Sequence, residues 1–253
     1  HTDVSLLVSN LMVKNEQHAA VRDVLAAQEA DVLLLIEIDE TWAEALAPLR
    51  DRYEHHSEKL RDQGLGIALW ANVPFNAVEV RHLVSDKRAS IHADMTIGGR
   101  KVAFVGLHPA PPGLPSGDGE RYDSRIRDAE LMKVADEVKQ RPDHHWIIAG
   151  DFNDVAWSGT TELFKEVSGL SDPRVGRELL NTYDARRPLL RYPIDHVFVS
   201  DSFAARRMER IRVPGSDHFA VAVDLAIVKA DAKAPEHEPE KEREAEDMER
   251  EGE

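Results

Sequence analysis

The chain has 253 residues, 42% of them apolar and 31% charged, and its 47 acidic side chains outnumber 32 Lys and Arg for a net charge of −15. A chain of this size and mixture closes one ordinary core, which excludes disorder throughout, collagen and a disulfide-stapled miniprotein. With no cysteine, thiolate zinc sites, iron–sulfur clusters, catalytic thiols and disulfides are excluded together, and the acidic balance is a poor basis for gripping nucleic acid by charge alone.

No apolar run approaches the ~18–20 residues that span a bilayer, and no signal peptide is visible. The chain starts at His1 without a methionine, which raises the expectation of an anchor or signal upstream and leaves the compartment open. Short apolar runs of strand length are read at Asp3 to Ser9, Asp31 to Ile38, Gly66 to Ala71, Ala89 to Ile97, Lys101 to Leu107, His145 to Ala149, Asp195 to Ser200 and His218 to Ile227. Between the first two, Val21, Val24, Leu25 and Gln28 follow helical spacing, with Asn15 as the expected N-cap. Ile97-Gly98-Gly99-Arg100 predicts a hairpin turn. A long helix is expected from about Arg121 to Gln140 on the stripe Ile126, Leu131, Val134 and Val138, and a shorter one from near Ser158. Hairpin-linked strands with helices early, midway and late fit two sheets covered by helices better than a doubly wound parallel sheet.

From Lys229 onward the composition changes to Ala, Pro, Glu, Lys and Arg, with 11 acidic and 5 basic residues. The expected division is therefore a domain over 1–228, still −9 in charge, and an acidic tail over 229–253, disordered or helical, with almost nothing apolar to bury.

Several predicted strands end in a residue able to bind a metal or move a proton. Asn10 follows the first, Glu37 interrupts the Leu-rich second, His108 follows Val102 to Leu107, and Asp151 and Asn153 follow Trp146 to Ala149. Asp195 opens one strand, and Asp217 and His218 precede the last. Taken singly, Asn10 reads as a turn residue, Asp195 as a strand start and His108 as a packed loop histidine. Glu37 is harder to dismiss, because strand interiors disfavour glutamate and its apolar neighbours imply partial burial. His55-His56 and His144-His145 read as surface pairs. Arg121, Arg125, Arg127, Arg186, Arg187 and Arg191 could meet a substrate phosphate, but acids beside the first group favour a salt-bridged helix surface. Trp157 suits a stacking platform and a core anchor equally.

The run Ile147-Ile148-Ala149-Gly150-Asp151-Phe152-Asn153 places two polar side chains at i and i+2 on a turn after an apolar strand. With Pro193-Ile194-Asp195-His196-Val197-Phe198 and Gly215-Ser216-Asp217-His218-Phe219 in this order, the sequence resembles the endonuclease/exonuclease/phosphatase superfamily of DNase I-like enzymes. The resemblance covers residues 3 to 227 and includes Gly64 to Leu69. Leu107-His108-Pro109, Arg127 to Leu131 and Trp157 resemble an uncharacterised bacterial branch in which several members carry membrane helices upstream.

The resemblance implies a four-layer α/β sandwich of two mainly antiparallel sheets with helices outside. It further implies hydrolysis of a phosphodiester with Mg²⁺ or Mn²⁺, held by Glu37 and Asn10 with Asp217 touching the metal. Asp151 matches the residue that orients or deprotonates water, and Asn153 the neighbour that bonds the phosphate or the aspartate. His218 matches the histidine against the scissile phosphate, held in its tautomer by Asp195, and His108 the phosphate-contacting histidine or general acid. The expected activity is nuclease-type, with small or lipid phosphate esters as the alternative and a non-catalytic binding module as the third possibility. The expected partner is the phosphoester substrate, nucleic acid among the candidates, with no stable protein partner and a membrane only through an upstream anchor.

Overall fold

The computed structural model describes residues 3–112, 124–177, 180–228 and 239–252. The core sits between two sheets. The first has six strands in the order Phe203–Arg212 (β10), Phe219–Ile227 (β11), Val4–Asn10 (β1), Val32–Ile36 (β2), Ile67–Ala71 (β4) and His55–Lys59 (β3). The second has five, in the order Phe75–Arg81 (β5), Ser90–Ile97 (β6), Arg100–Leu107 (β7), His145–Asp151 (β8) and Asp195–Val199 (β9). Among the described residues, only the β1–β2 and β7–β8 pairs are parallel. This is the expected sandwich of two mainly antiparallel sheets.

Strand β2 shows why the central strands are continuous apolar runs. Val32, Leu34 and Ile36 face the opposite sheet, while Leu33 and Leu35 join a second apolar layer under helices His18–Ala26 (α1) and Glu40–Arg50 (α2). Both faces are covered, so both must be apolar. On the far side, Arg125–Gln140 (α3) and Gly159–Ser168 (α4) cover the second sheet through Leu131, Val134, Leu163 and Phe164. The sheets approach closely enough that a Cβ on Gly106 would come within 2.6 Å of Leu34.

Elements without an apolar run are those the sequence did not reveal. Helix α2 encloses Pro48, with Asp39 accepting from the Trp42 amide at 2.8 Å as its N-cap. Strands β3, β5 and β10 lie at sheet edges and carry charged or half-exposed side chains, a composition that discourages pairing with another chain. His55 and His56 are half-buried on β3, and His145 is half-buried on β8. Asn15 does not cap α1: that helix begins at His18 after Gln17, and the Asn15 carboxamide oxygen accepts from the Gln17 amide in the preceding turn. The expected start of the long helix at Arg121 lies outside the described residues.

After β11, Pro239–Gly252 (α5) lies against α3. Its contact combines small residues with one long apolar side chain: Ala245 is buried, a Cβ on Gly252 would come within 2.3 Å of Ala129, and Met248 packs against the apolar layer under α3 and α4. Ion pairs Lys139–Glu242 at 2.6 Å and Lys241–Glu166 at 2.8 Å flank the seam. Among the described residues, no helix is long and apolar enough to cross a membrane.

Candidate active site

The topology gathers chemistry at one edge of the sandwich. Parallel strands β1 and β2 end together there, as do β7 and β8, bringing Asn10, Glu37, His108 and Asp151 to the same side. Strand β9 starts antiparallel to the end of β8, setting Asp195 opposite Asp151, and β11 starts directly after His218. A cleft of about 700 Å³ opens over this edge, lined among others by Glu37, His108, Asp151, Asn153, Asp217 and His218.

Asp151, only 2% exposed, is the centre of the group. Its Oδ1 accepts from the Asn153 amide at 3.0 Å and its Oδ2 from Asn10 Nδ2 at 3.0 Å. Oδ2 is also 3.6 Å from His218 Nε2 and 3.9 Å from His108 Nε2. His218 Nδ1 bonds Asp195 Oδ2 at 2.8 Å. Burial disfavours the His218 cation, but the facing charges of Asp195 and Asp151 prevail and raise its pKa to about 10. Burial pushes Asp151 up to about 7, with His218 opposing and Asp195 adding to the shift. His108 is held well below the ordinary range by burial and by the charges of Arg88 and His218, so it is neutral.

Two glycines make this geometry possible. Gly150 has φ +153, and a Cβ there would meet the Leu107 carbonyl oxygen at 1.9 Å, so the strand before Asp151 tolerates no side chain. Gly64, at φ +75, leaves the space occupied by the Glu37 carboxyl, which a Cβ would meet at 3.1 Å. Glu37 itself is not in the strand interior as expected: β2 ends at Ile36, and Glu37 turns out of it at φ +63. That bend frees its side chain from the sheet's alternation and aims it at the cleft, where Oε1 lies 3.2 Å from Asn10 Nδ2 and Oε2 accepts from the Val13 amide at 3.0 Å.

Asn10, expected as a ligand, instead donates Nδ2–H to both Glu37 and Asp151 while its Oδ1 accepts from the Met12 amide at 2.9 Å, so it orients the two carboxylates, and the oxygens left on the cleft wall are those of Glu37 and Asp217. Together with the space that Gly64 leaves for the Glu37 carboxyl, such a set fits a hard divalent cation. Asp151, Asp195 and His218 also form a buried group whose ligand atoms lie within 4.8 Å of one another and could hold an ion. Asp217 is ion-paired with Arg186 at 3.2 Å. Asn153, at φ +50, donates its side-chain amide to the Pro109 carbonyl at 3.0 Å, tying the Asp151 turn to the loop carrying His108.

Around the turn lies a buried ionic frame that sequence reasoning missed. Arg127, expected on a solvated helix surface, is 7% exposed and donates to the Asn153 carbonyl at 3.1 Å while pairing with Asp128 at 2.7 Å and Asp154 at 3.3 Å. His196 bonds the Asp154 carbonyl at 2.8 Å and Arg174 at 2.6 Å, and Arg174 pairs with Asp172 at 2.7 Å. Burial, reinforced by the Arg174 charge, lowers the His196 pKa to about 3, so it serves as a neutral bridge. Its position next to Asp195 in the Ile-Asp-His run was the available signal. Trp157 is 56% exposed and is no core anchor, while Arg121 lies outside the described residues.

Residues 9–218 match the Endonuclease/Exonuclease/phosphatase family. The chain belongs to this family of phosphoester hydrolases. Among solved structures, it is similar to TDP2 of D. rerio in complex with a single-strand DNA product, at 18% identity and TM-score 0.67 over 88% of this chain and 98% of that one. SmcL gives 16% identity and TM-score 0.67 over 88% and 99%. Beta toxin of Staphylococcus aureus gives 15% and 0.62 over 87% and 99%. These likenesses show the DNase I-like fold. No curated protein matched the sequence.

Proposed function

We propose that the chain hydrolyses phosphodiesters with the help of a divalent cation, Mg²⁺ or Mn²⁺. The observation that carries this reading is the His218 ring, hydrogen-bonded to Asp195 on one side and facing Asp151 on the other, in the cleft where Asn10 holds the Glu37 carboxylate. Glu37 would hold the cation, its carboxylate oriented by Asn10 Nδ2, with Asp217 as a further contact whose charge Arg186 shares. When bound, the cation supplies charge neutralisation at a phosphoryl oxygen.

The side chains account for the remaining steps. Asp151, with its proton affinity raised toward neutrality by burial, accepts the proton of the attacking water. His218, charged and fixed by Asp195, presents Nε2–H to negative charge gathering on the phosphoryl group. Neutral His108 offers its ring to a phosphate oxygen or the leaving group, and Asn153 keeps both loops in register.

The nuclease-type reading has the support of the TDP2-like fold. The charge of the cleft favours the alternative, a small or lipid diester: its walls present Glu37, Asp151, Asp154 and Asp217 against Arg88, Arg127 and the His218 cation, with Arg127 committed to Asp128 and Asp154 and His218 to Asp195 and Asp151. A strand of phosphates needs a track of cations, whereas one diester needs one neutralised site. We take residues 1–228 as the catalytic unit.

The test is turnover of bis(p-nitrophenyl) phosphate, plasmid, single-stranded DNA, RNA and phosphoinositides, each with EDTA and with Mg²⁺ or Mn²⁺ restored. Turnover lost to EDTA and regained with metal is expected. Turnover indifferent to chelation would overturn the proposal, and affinity that collapses with salt would favour the nuclease.

A further inference from the structure

The loop between Asp184 and Tyr192 carries Ala-Arg-Arg-Pro-Leu-Leu-Arg and borders the cleft through Tyr183 and Tyr192. Its base is fixed: the Ala185 amide donates to the Asp217 carbonyl at 2.6 Å, Arg187 to Asp184 at 3.0 Å and Leu190 to Arg187 at 3.1 Å. From this base Leu189 stands 96% exposed and Leu190 54% exposed. A single exposed leucine is ordinary, but two adjacent ones held at the tip of a hydrogen-bonded loop beside a cleft mark a contact surface.

Beneath the tip lies a concentration of positive charge in an otherwise acidic domain. The guanidinium groups of Arg191, Arg210 and Arg212 lie 5.0, 4.8 and 5.5 Å from the Phe219 ring centroid. They donate to carbonyl oxygens of Ala185, Asn181, Val213 and Ser216, neutral acceptors that do not offset their charge, and among the described residues none of the three forms an ion pair. Arg187 adds a more exposed cation at the loop itself, 3.6 Å from the Asp184 carboxylate.

We propose that this loop is a membrane-docking element. Leu189 and Leu190 enter the apolar part of a lipid surface, and the arginines below them meet anionic headgroups, holding the cleft against the bilayer. The order of the chemistry from the tip inward, aliphatic and then cationic, matches the order of a bilayer from its hydrocarbon outward. Aliphatic tips lack the π-face that stacks on bases, which disfavours single-stranded nucleic acid. A convex turn with two apolar side chains is also far smaller than the ~800 Å² per partner of a stable protein interface.

The test is co-sedimentation with vesicles of phosphatidylcholine, with and without phosphatidylglycerol, in EDTA, so that binding is read without turnover and stands or falls apart from the catalytic proposal. The chain should bind the mixed vesicles. The double variant Leu189→Asp, Leu190→Asp should bind about tenfold or more weakly, with an unchanged thermal melt. Leu190→Trp should show a blue-shifted emission on vesicles and be quenched by lipids labelled in the acyl chain. Absence of vesicle binding, equal binding by the double variant, or Leu190→Trp emission that stays water-like would overturn the proposal. So would a loop-dependent loss of single-stranded DNA binding or self-association without vesicle binding.

Discussion

Two segments border the cleft and are constructed by opposite means. The turn from Asp151 to Ser158 is enclosed by buried ions: Arg127, Asp154, His196, Arg174 and Asp172 are joined in one network, and Ser158 caps α4 by accepting from the Thr161 amide at 2.9 Å. The loop from Asp184 to Tyr192 has its acid pairs only at the base and turns its leucines to solvent. Catalysis requires groups held within fractions of an ångström, and buried charges that lose a great deal when unpaired are one way to hold them. A surface contact has no such demand, so its side chains are left free.

The sharpest break of this contrast is at Asp151. Replacing Asp151 with Asn preserves shape while removing the proton acceptor, and diester turnover should fall about 10³-fold or more. The thermal melt should be unchanged or raised, since a carboxyl that burial has pushed up to about 7 is not stabilised by its surroundings. Turnover within tenfold of the parent would sink the assignment of the base.

The frame behind the turn is next. Arg174→Ala would leave Asp172 without its buried partner and His196 without its donor, and unfolding in urea should show a loss of about 3–5 kcal/mol. A loss under about 1 kcal/mol would mean that the network is not what fixes the turn.

The sequence made the cleft edge legible and the frame illegible for one physical reason. Central strands covered on both faces are runs of apolar residues, so the polar groups that end them, Asn10, His108 and Asp151, stand out by contrast. Arg127, Asp128 and Glu130 sit in a helix rich in charge, and composition cannot tell a buried ion pair from a solvated one. The same limit hid β5 and β10, whose edge positions need no apolar run. Glu37 was noticed as an anomaly in a strand, but the left-handed turn that resolves the anomaly depends on Gly64 packing beside it, a contact between residues far apart in sequence.

Glu130 tests burial at one remove from the chemistry. It lies beside His108 and Arg88 at a small cavity of about 10 Å³, and burial raises its pKa from 4.5 to about 7 against the Ser85 amide and the Arg88 charge. A carboxyl with a raised folded-state pKa binds its proton more tightly when folded. Stability should therefore fall as pH rises from about 4.5 to about 7 and stay lowered above that window. Glu130→Gln should remove this slope and gain up to about 3 kcal/mol near pH 8. Parallel pH profiles for parent and variant would show that Glu130 is not the group responsible.

The smallest effect is expected where the contrast is purest, between two leucines. Leu163 in α4 is buried against the Asp151 side of the fold, while Leu189 touches almost nothing. Leu163→Ala should cost about 2–5 kcal/mol through lost transfer energy and the cavity left behind. Leu189→Ala should stay within about 0.5 kcal/mol of the parent and leave turnover of a small soluble diester unaltered. A drop above 1 kcal/mol at Leu189 would mean that the loop folds back on the body of the domain, removing the distinction between a segment built to hold and one left free to dock.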